Sequence, residues 1–329
     1  MNKLLISAFA AAAVIAGPAQ AQEKFNLTLA GASPGGLWST IGVGMDKALA
    51  KAYPGSTVTY QTSSGGLANA KLVNDKKVPM GITADMELNA AVRGTGPFRG
   101  KAQKDLRVLI RTYAASSRFQ MMHALINGDV AKKYNIKTFA DLKKNAGKLR
   151  IAVNRPGNMD GDMGIAILRA HGIKLGNFRQ AVRAASREQV KLMLDRRIDG
   201  QVYGIAYRHP RVREVANGIP LTMLDIGTAE AAQLATEFGG EPCIVKAKEY
   251  KFISTDKVSV CLGTVVVAHK SMKDETAYKI VKGVLKNIED FKSAHRLLKK
   301  VTTPQSLAGA AATPYHPGAI KAFKEAGLM

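Results

Sequence analysis

The sequence predicts an α/β protein folded as two similar lobes, and three observations carry that prediction. Strand-like and helix-like patterns alternate along the chain, which points to sheets with mostly parallel pairing. The 329 residues exceed what one hydrophobic core usually serves, so two domains are expected. An α-turn-β unit also occurs in each half. Asn69–Val73 leads through Asn74-Asp-Lys-Lys77 into Val78–Ile82, and Ser186–Asp195 leads through Arg196–Gly200 into a second strand. A ligand belongs naturally between two such lobes.

The chain opens with Asn2-Lys3, an apolar run from Leu4 to Ala16 and the small-residue site Ala19-Gln20-Ala21. This is the pattern of a secretory signal peptide over residues 1–21, cut after Ala21. The apolar run is short for a bilayer span, and no later run is long enough to try. An exported chain beginning at Gln22 is expected; a retained N-terminal anchor is the alternative.

Strands are expected at Asn26–Ala30, Thr57–Gln61, Met80–Thr83 and Leu106–Arg111, with a crossover over Arg118–Leu125. A second set falls at Arg150–Val153, Ala181–Val182, Gly200–Tyr203 and Leu221–Leu224. Helical patterns lie between them, among others from Trp38 to Leu49, at Gly164–His171 and at Glu188–Asp195, where Ser186 and Gln189 have the spacing of a capping pair. Val258–Val267 reads as one long β-rich return, and helices close the chain at Asp274–Phe291 and Pro317–Ala326.

Two glycine-rich turns stand out. Ala32-Ser-Pro-Gly-Gly-Leu-Trp38 and Gln61-Thr-Ser-Ser-Gly-Gly-Leu67 each join a strand to a helix and carry hydroxyl side chains. Glycine lets backbone approach a ligand, and the following helix start offers unpaired N–H groups and partial positive charge. One such turn usually only closes a strand-to-helix connection. Two together favour a cleft suited to a small anion.

The formal charge is +23, or +22 once Lys3 leaves with the signal peptide. The charges are spread along the chain rather than gathered in an arm. Aromatic residues make up 6% and no basic stretch interleaves them, so nucleic acid is not an expected partner. A lysine-rich solvated surface accounts for the charge, with attraction to acidic envelope polymers as the alternative. The two cysteines, Cys243 and Cys261, are expected to pair as a disulfide in an exported chain, two free thiols being the alternative. No histidine lies at metal-ligand spacing from either, so no metal site is expected. Nucleophile and metalloprotease motifs are lacking, no carboxylate pair stands out, and His316 between two prolines reads as a structural or capping histidine. An enzyme is not expected, and no cofactor is called for.

Several segments together resemble a known family. Ser33-Pro-Gly-Gly-Leu-Trp-Ser-Thr-Ile-Gly42, Gln61-Thr-Ser-Ser-Gly-Gly-Leu-Ala-Asn69 and Met80-Gly-Ile-Thr-Ala-Asp85 are joined in order by Asp141-Leu-Lys143, Lys148–Val153 with Pro156-Gly157, and Pro314-Tyr-His-Pro-Gly-Ala-Ile320. Over residues 25–329 the chain resembles the TAXI-type solute receptors of TRAP transporters. It departs at Asn158-Met-Asp-Gly161, where that family usually has Ser-Gly-Thr, and at Ser39, where a second aromatic is common.

The resemblance implies a type II periplasmic-binding-protein-like fold with two crossovers, near Tyr113–Gln120 and Leu224–Thr264, and a central ligand cleft. Residues 22–118 would begin lobe 1, 119–225 would form lobe 2, and 226–329 would return to complete lobe 1. It further implies a monomeric periplasmic receptor without stable membrane insertion. Such a receptor takes a small organic acid or glutamate-type amino acid and passes it to membrane subunits for ion-gradient-driven uptake. The receptor of an ATP-driven importer, or of a sensor, shares that fold.

The residues expected to bind ligand are Ser33, Gly35, Gly36 and Trp38 on the first turn, and Ser63, Ser64 and Gly65 on the second. Thr83 and Asp85 follow at a strand end. Asn154, Asn158 and Met159 come from the second lobe, with Tyr203 and Tyr207 further along. Arg111 and Arg155 are candidates for a charge-assisted contact to a carboxylate.

Overall fold

A computed structural model of the protein describes residues 24–329 apart from residues 157 and 297; the expected signal peptide lies outside the described residues. Among the described residues, twelve strands and fourteen α-helices follow one another. The strands are β1 (Asn26–Ala30), β2 (Thr57–Gln61), β3 (Met80–Ala84), β4 (Leu106–Tyr113), β5 (Gln120–Asn127), β6 (Arg150–Val153), β7 (Gln180–Arg183), β8 (Gly200–Ala206), β9 (Leu221–Met223), β10 (Glu241–Val245), β11 (Lys257–Leu262) and β12 (Thr264–His269). The helices of the first half are α1 (Leu37–Ala52), α2 (Gly66–Asn74), α3 (Asp85–Arg93), α4 (Gly128–Lys133), α5 (Phe139–Asn145), α6 (Met159–Ala170) and α7 (Ser186–Leu194). Those of the second are α8 (Pro210–Gly218), α9 (Thr228–Phe238), α10 (Asp274–Lys286), α11 (Ile288–Ser293), α12 (Leu298–Val301), α13 (Pro304–Leu307) and α14 (Pro317–Glu325).

The strands form two sheets, each the centre of a lobe. The first has the order β2-β1-β3-β12-β4; the second runs β10-β11-β5-β8-β6-β7, with β9 also pairing with β5. The chain passes between the sheets at 114–119, from β4 to β5, and returns at Gly263, from β11 to β12. Helices α10 to α14 follow that return, and α10, α13 and α14 pack on β4.

Amphipathic spacing explains the layers. In α1, Ile41, Met45, Ala48 and Leu49 are completely buried at i, i+4, i+7 and i+8, the stripe that one helix face lays on a sheet. In α10 the matching set is Ala277, Ile280, Val281 and Val284. At the head of α14 the His316 ring caps the helix, accepting a hydrogen bond from the Gly318 backbone N–H at 3.3 Å. That structural role is the one its neighbouring prolines suggest.

Four expectations are corrected. The pairing is mixed, not mostly parallel: β1 with β2 and β3, and β6 with β7 and β8, are parallel. The pairs β3–β12, β4–β12, β5–β8, β5–β9 and β5–β11 are antiparallel, each involving a strand that follows a passage between lobes, and the successive strands β10 and β11 also pair antiparallel. The segment read as a crossover at Arg118–Leu125 is mostly the central strand β5. The β-rich return at Val258–Val267 is two strands in different sheets, broken at Gly263; with β10, this carries the second sheet on to Leu262. Ser186 does not cap α7: Ala185 holds the cap position, and the Ser186 hydroxyl meets the Asn154 amide at 3.3 Å.

Cys243 and Cys261 form a disulfide with their Cα atoms 5.8 Å apart. The register of β10 on β11 opposes Cys243 to Ser259 and Glu241 to Cys261, so the bridge runs diagonally across the antiparallel pair. Closing this loop stabilises the fold by on the order of 3 kcal/mol.

Candidate functional site

The cleft lies where the two lobes face each other. From the first lobe come the Ala32–Trp38 turn with the start of α1, and Ala84 with Glu87 on α3. The second lobe supplies Asn154, Asn158, Met159, Asp160, Gly204 and Arg211, and also Gln120 and Leu262, the strand ends that adjoin the two connections. Water-sized molecules have about 60 Å³ of room in this inner part. It continues past Ser33 into a mouth of about 580 Å³ lined by Thr62, Ser63, Ser64, Arg155, Arg187 and Lys191, with Glu188 the one acid there.

Glu87 dominates the inner end. Its carboxyl, 1% exposed, accepts hydrogen bonds from the backbone N–H groups of Ala84 at 2.8 Å, Gly66 at 3.1 Å and Met159 at 3.1 Å. Gly66 and Met159 are the first residues of α2 and α6, and Ala84 is the cap residue of α3. One side chain thus satisfies orphan donors at three helix starts, two in its own lobe and one across the cleft. Gly66 is required there, because a Cβ would run into the Glu87 carboxyl. Burial pushes the Glu87 carboxyl up to about 8, although the three N–H bonds pull it down; neighbouring Asp160 adds to the rise.

Asp160 is the second buried acid. Both its oxygens accept from Asn154 Nδ2 at 2.9 Å, and Oδ2 accepts from Gly204 N–H at 3.1 Å. Burial raises this carboxyl to about 6, and those same hydrogen bonds limit the rise. The inner cleft therefore holds a carboxyl that stays protonated at neutral pH, Glu87, beside Asp160 and the cationic Arg211, while the mouth is basic. Arg155 reaches Ser33 Oγ at 3.4 Å through Nη2, but its Nε is buried with no partner among the described residues. Arg211 donates to the Pro34 carbonyl at 3.2 Å. With Glu87–Met159, these bonds draw the lobes together across the cleft.

The connections between lobes are tied to the same place. Tyr113 Oη, at the end of β4, donates to Gln120 Oε1 at 2.6 Å and accepts from Thr264 Oγ1 at 2.7 Å and Trp38 Nε1 at 3.3 Å. One buried hydroxyl therefore joins both connecting segments to two cleft-lining residues. Gly263 sits in the second connection, where a Cβ would collide with the Asp85 carboxylate.

Of the residues expected at the site, Ser33, Gly36, Trp38, Ser63, Ser64, Asn154, Asn158, Met159 and Arg155 do line the cleft or its mouth. Gly35 and Gly65 shape the two turns, at φ 65° and 130°, without lining it. Ser63 is largely occupied with its own loop, its hydroxyl lying 2.6 Å from Asn69 Oδ1 and accepting from Gly65 N–H at 3.0 Å. Asp85 and Arg111 are committed to each other through a two-pronged pair at 2.7 and 2.8 Å beside Gly263, which leaves neither charge for a ligand. Thr83 is buried and donates to the Ala84 carbonyl. Strand alternation removes Tyr203: Gly204 faces the cleft, so its neighbour points to the opposite side, where the ring lies 6.1 Å from His123. Tyr207 likewise packs away from the cleft, 6.1 Å from the Tyr250 ring. Sequence reasoning missed Glu87, Gln120, Arg187, Lys191 and Arg211. Only Glu87 carried a local signal, three residues past the cap position of α3.

Among the described residues no helix is long and apolar enough to cross a membrane, and no three His, Cys, Asp or Glu side chains are grouped to hold a metal ion. Residues 29–327 match the model of the NMT1-like family. Among solved structures, a binding protein component of an ABC phosphonate transporter from Pseudomonas aeruginosa aligns with a TM-score of 0.53 and 13% identity, over 84% of this chain and 80% of that one. The periplasmic binding protein BugD aligns at 0.55 and 12%, over 93% and 94%. A Prochlorococcus marinus protein in complex with methylphosphonate aligns at 0.55 and 11%, over 92% and 98%. The shared feature is the fold, a two-lobed type II periplasmic-binding-protein-like architecture with two crossovers and a central cleft.

Proposed function

The chain belongs to the NMT1-like family, and on that premise we propose that it is an extracytoplasmic solute receptor. It closes its lobes on a small organic acid or glutamate-type amino acid and delivers it to transporter membrane subunits. The observation that carries this reading is Arg155, whose buried Nε lacks a partner in a mouth that also holds Arg187 and Lys191. A ligand carboxylate in this mouth meets the Arg155 guanidinium beside Arg187 and Lys191, and charge-assisted bonds of this kind are among the stronger ones available.

The polarity of the cleft orients the solute. A carboxylate meets the basic mouth while an ammonium or hydroxyl group points inward, toward the Asp160 carboxylate. Trp38 and Met159 form the apolar walls. Closure about the segments at 114–119 and Gly263 buries the solute and presents a loaded surface to the membrane partner. The chain's role is binding, and no catalytic step is assigned to it. The signal-peptide pattern supports a periplasmic location.

The resemblance of the glycine-rich turns and the Pro-Gly-Ala ending supports TRAP-type membrane subunits of the TAXI class. A second reading, the receptor of an ATP-driven importer, draws on the Pseudomonas aeruginosa structural neighbour described as part of an ABC transporter. Titration calorimetry of the protein and of Arg155→Ala against glutamate, malate and methylphosphonate tests the binding mode. One of these binds saturably, and the substitution weakens it at least tenfold; equal affinity for both proteins would overturn the assignment of Arg155. Reconstituted uptake with either class of membrane subunits, driven by an ion gradient or by ATP, separates the two transporter readings.

A further inference from the structure

A second concave site lies on the other side of the second sheet from the cleft-facing Gly204, about 360 Å³ in volume. Arg208, Arg213, Lys251 and Arg296 line it, together with the rings of Tyr250 and Phe252. The two rings stack with centroids 5.1 Å apart and planes 21° from parallel. Tyr250 is fixed from behind: its Oη lies 3.0 Å from His123 Nε2 and accepts from the Arg208 N–H at 2.8 Å. Arg208 itself is held at φ 54°, a conformation non-glycine residues seldom adopt. None of the four cationic side chains makes an ion pair among the described residues, whereas Glu249 is the single acid in the lining. The site also spans the seam between lobes. Arg296 follows α11, which packs on α1 of the first lobe; the other lining residues belong to the second.

Four cations without an ion pair among the described residues, around an aromatic floor of buried Tyr250 and half-buried Phe252, match one ligand chemistry: an anionic group joined to a flat apolar body. The charge attracts the anion, and the ring face adds contact that a bare ion cannot use. We propose that this pocket is a second binding site, distinct from the cleft, for a small aromatic or planar anion. It shares no lining residue with the cleft or its mouth, so it stands whether or not the receptor reading does.

Titration calorimetry with phenyl phosphate and with inorganic phosphate tests it. Phenyl phosphate binds once per chain and at least fivefold tighter than phosphate. Arg213→Gln with Arg296→Gln weakens both probes at least tenfold, and Phe252→Ala weakens phenyl phosphate alone. All these side chains are half-buried or exposed, and unchanged melting temperatures verify that the variants fold. Arg155→Ala with Arg187→Ala, in the cleft mouth, leaves phenyl phosphate binding intact. The proposal is overturned if no saturable binding occurs, if the cleft pair abolishes it, or if the two probes bind equally and ignore Phe252.

Discussion

Glu87 ties three helix starts to the inner end of the candidate cleft. Its carboxyl is protonated in the folded state up to about pH 8, whereas in the unfolded chain it ionises near the ordinary value of 4.5. Below pH 4.5 the proton is bound in both states. Between 4.5 and 8 the folded state keeps a proton that the unfolded chain has released, so this group's contribution to stability declines as pH rises. Glu87→Gln removes the ionisation, and its stability should fall less steeply than the parent's between pH 5 and 8 in denaturant titrations; parallel slopes would contradict the assignment. Such a residue was hard to find from sequence, because a glutamate three positions into a helix looks like an ordinary cap. Ser33 and Trp38 were legible because their glycine-rich turn signals its role locally. Arg187 and Arg211 carry no local mark, and only the approach of two lobes gives them one.

At the level of elements, the connections between lobes matter most. Gly263→Ala places a Cβ against the Asp85 carboxylate beside its pairing with Arg111, so it should lower stability by about 1–3 kcal/mol, measured as a shift in denaturant midpoint with unchanged slope. The disulfide makes a second element-scale prediction. Cys243→Ala with Cys261→Ala should lose on the order of 3 kcal/mol, and a reductant should reproduce the loss in the parent protein alone. Most strands and helices were legible from alternation and periodicity. β10 was not, since Glu241-Pro-Cys-Ile-Val245 is short and opens with a charge and a proline. The break at Gly263 was hidden because apolar residues continue on both sides. Which sheet a strand joins depends on partners far away in sequence, and so the mixed pairing was not legible either.

Across the whole molecule, buried titrating groups oppose one another. Burial holds His123 and His209 down to about 4, so their contribution to stability is lost as pH falls from 6.5 toward 4. Glu87 and Asp160 act in the other direction, losing theirs as pH rises. Stability should therefore peak at about pH 6, where both losses are partial, and a melting series from pH 4 to 9 measures it. The +23 formal charge has a separate consequence. If it serves mainly as a solvated surface, solute affinity should vary little with salt, whereas binding to a polyanion would fall steeply.

The central claim is that the cleft holds a small anionic solute, and thermal unfolding of ligand-free protein against a panel of amino acids and small carboxylates tests it most directly. At a thousand times its dissociation constant, one compound should stabilise the parent by about 4 kcal/mol, and Arg155→Ala with Arg187→Ala should lose most of that gain. No stabilisation by any member of the panel, together with salt-sensitive binding to polyanions, would contradict the account and shift attention to the basic surface.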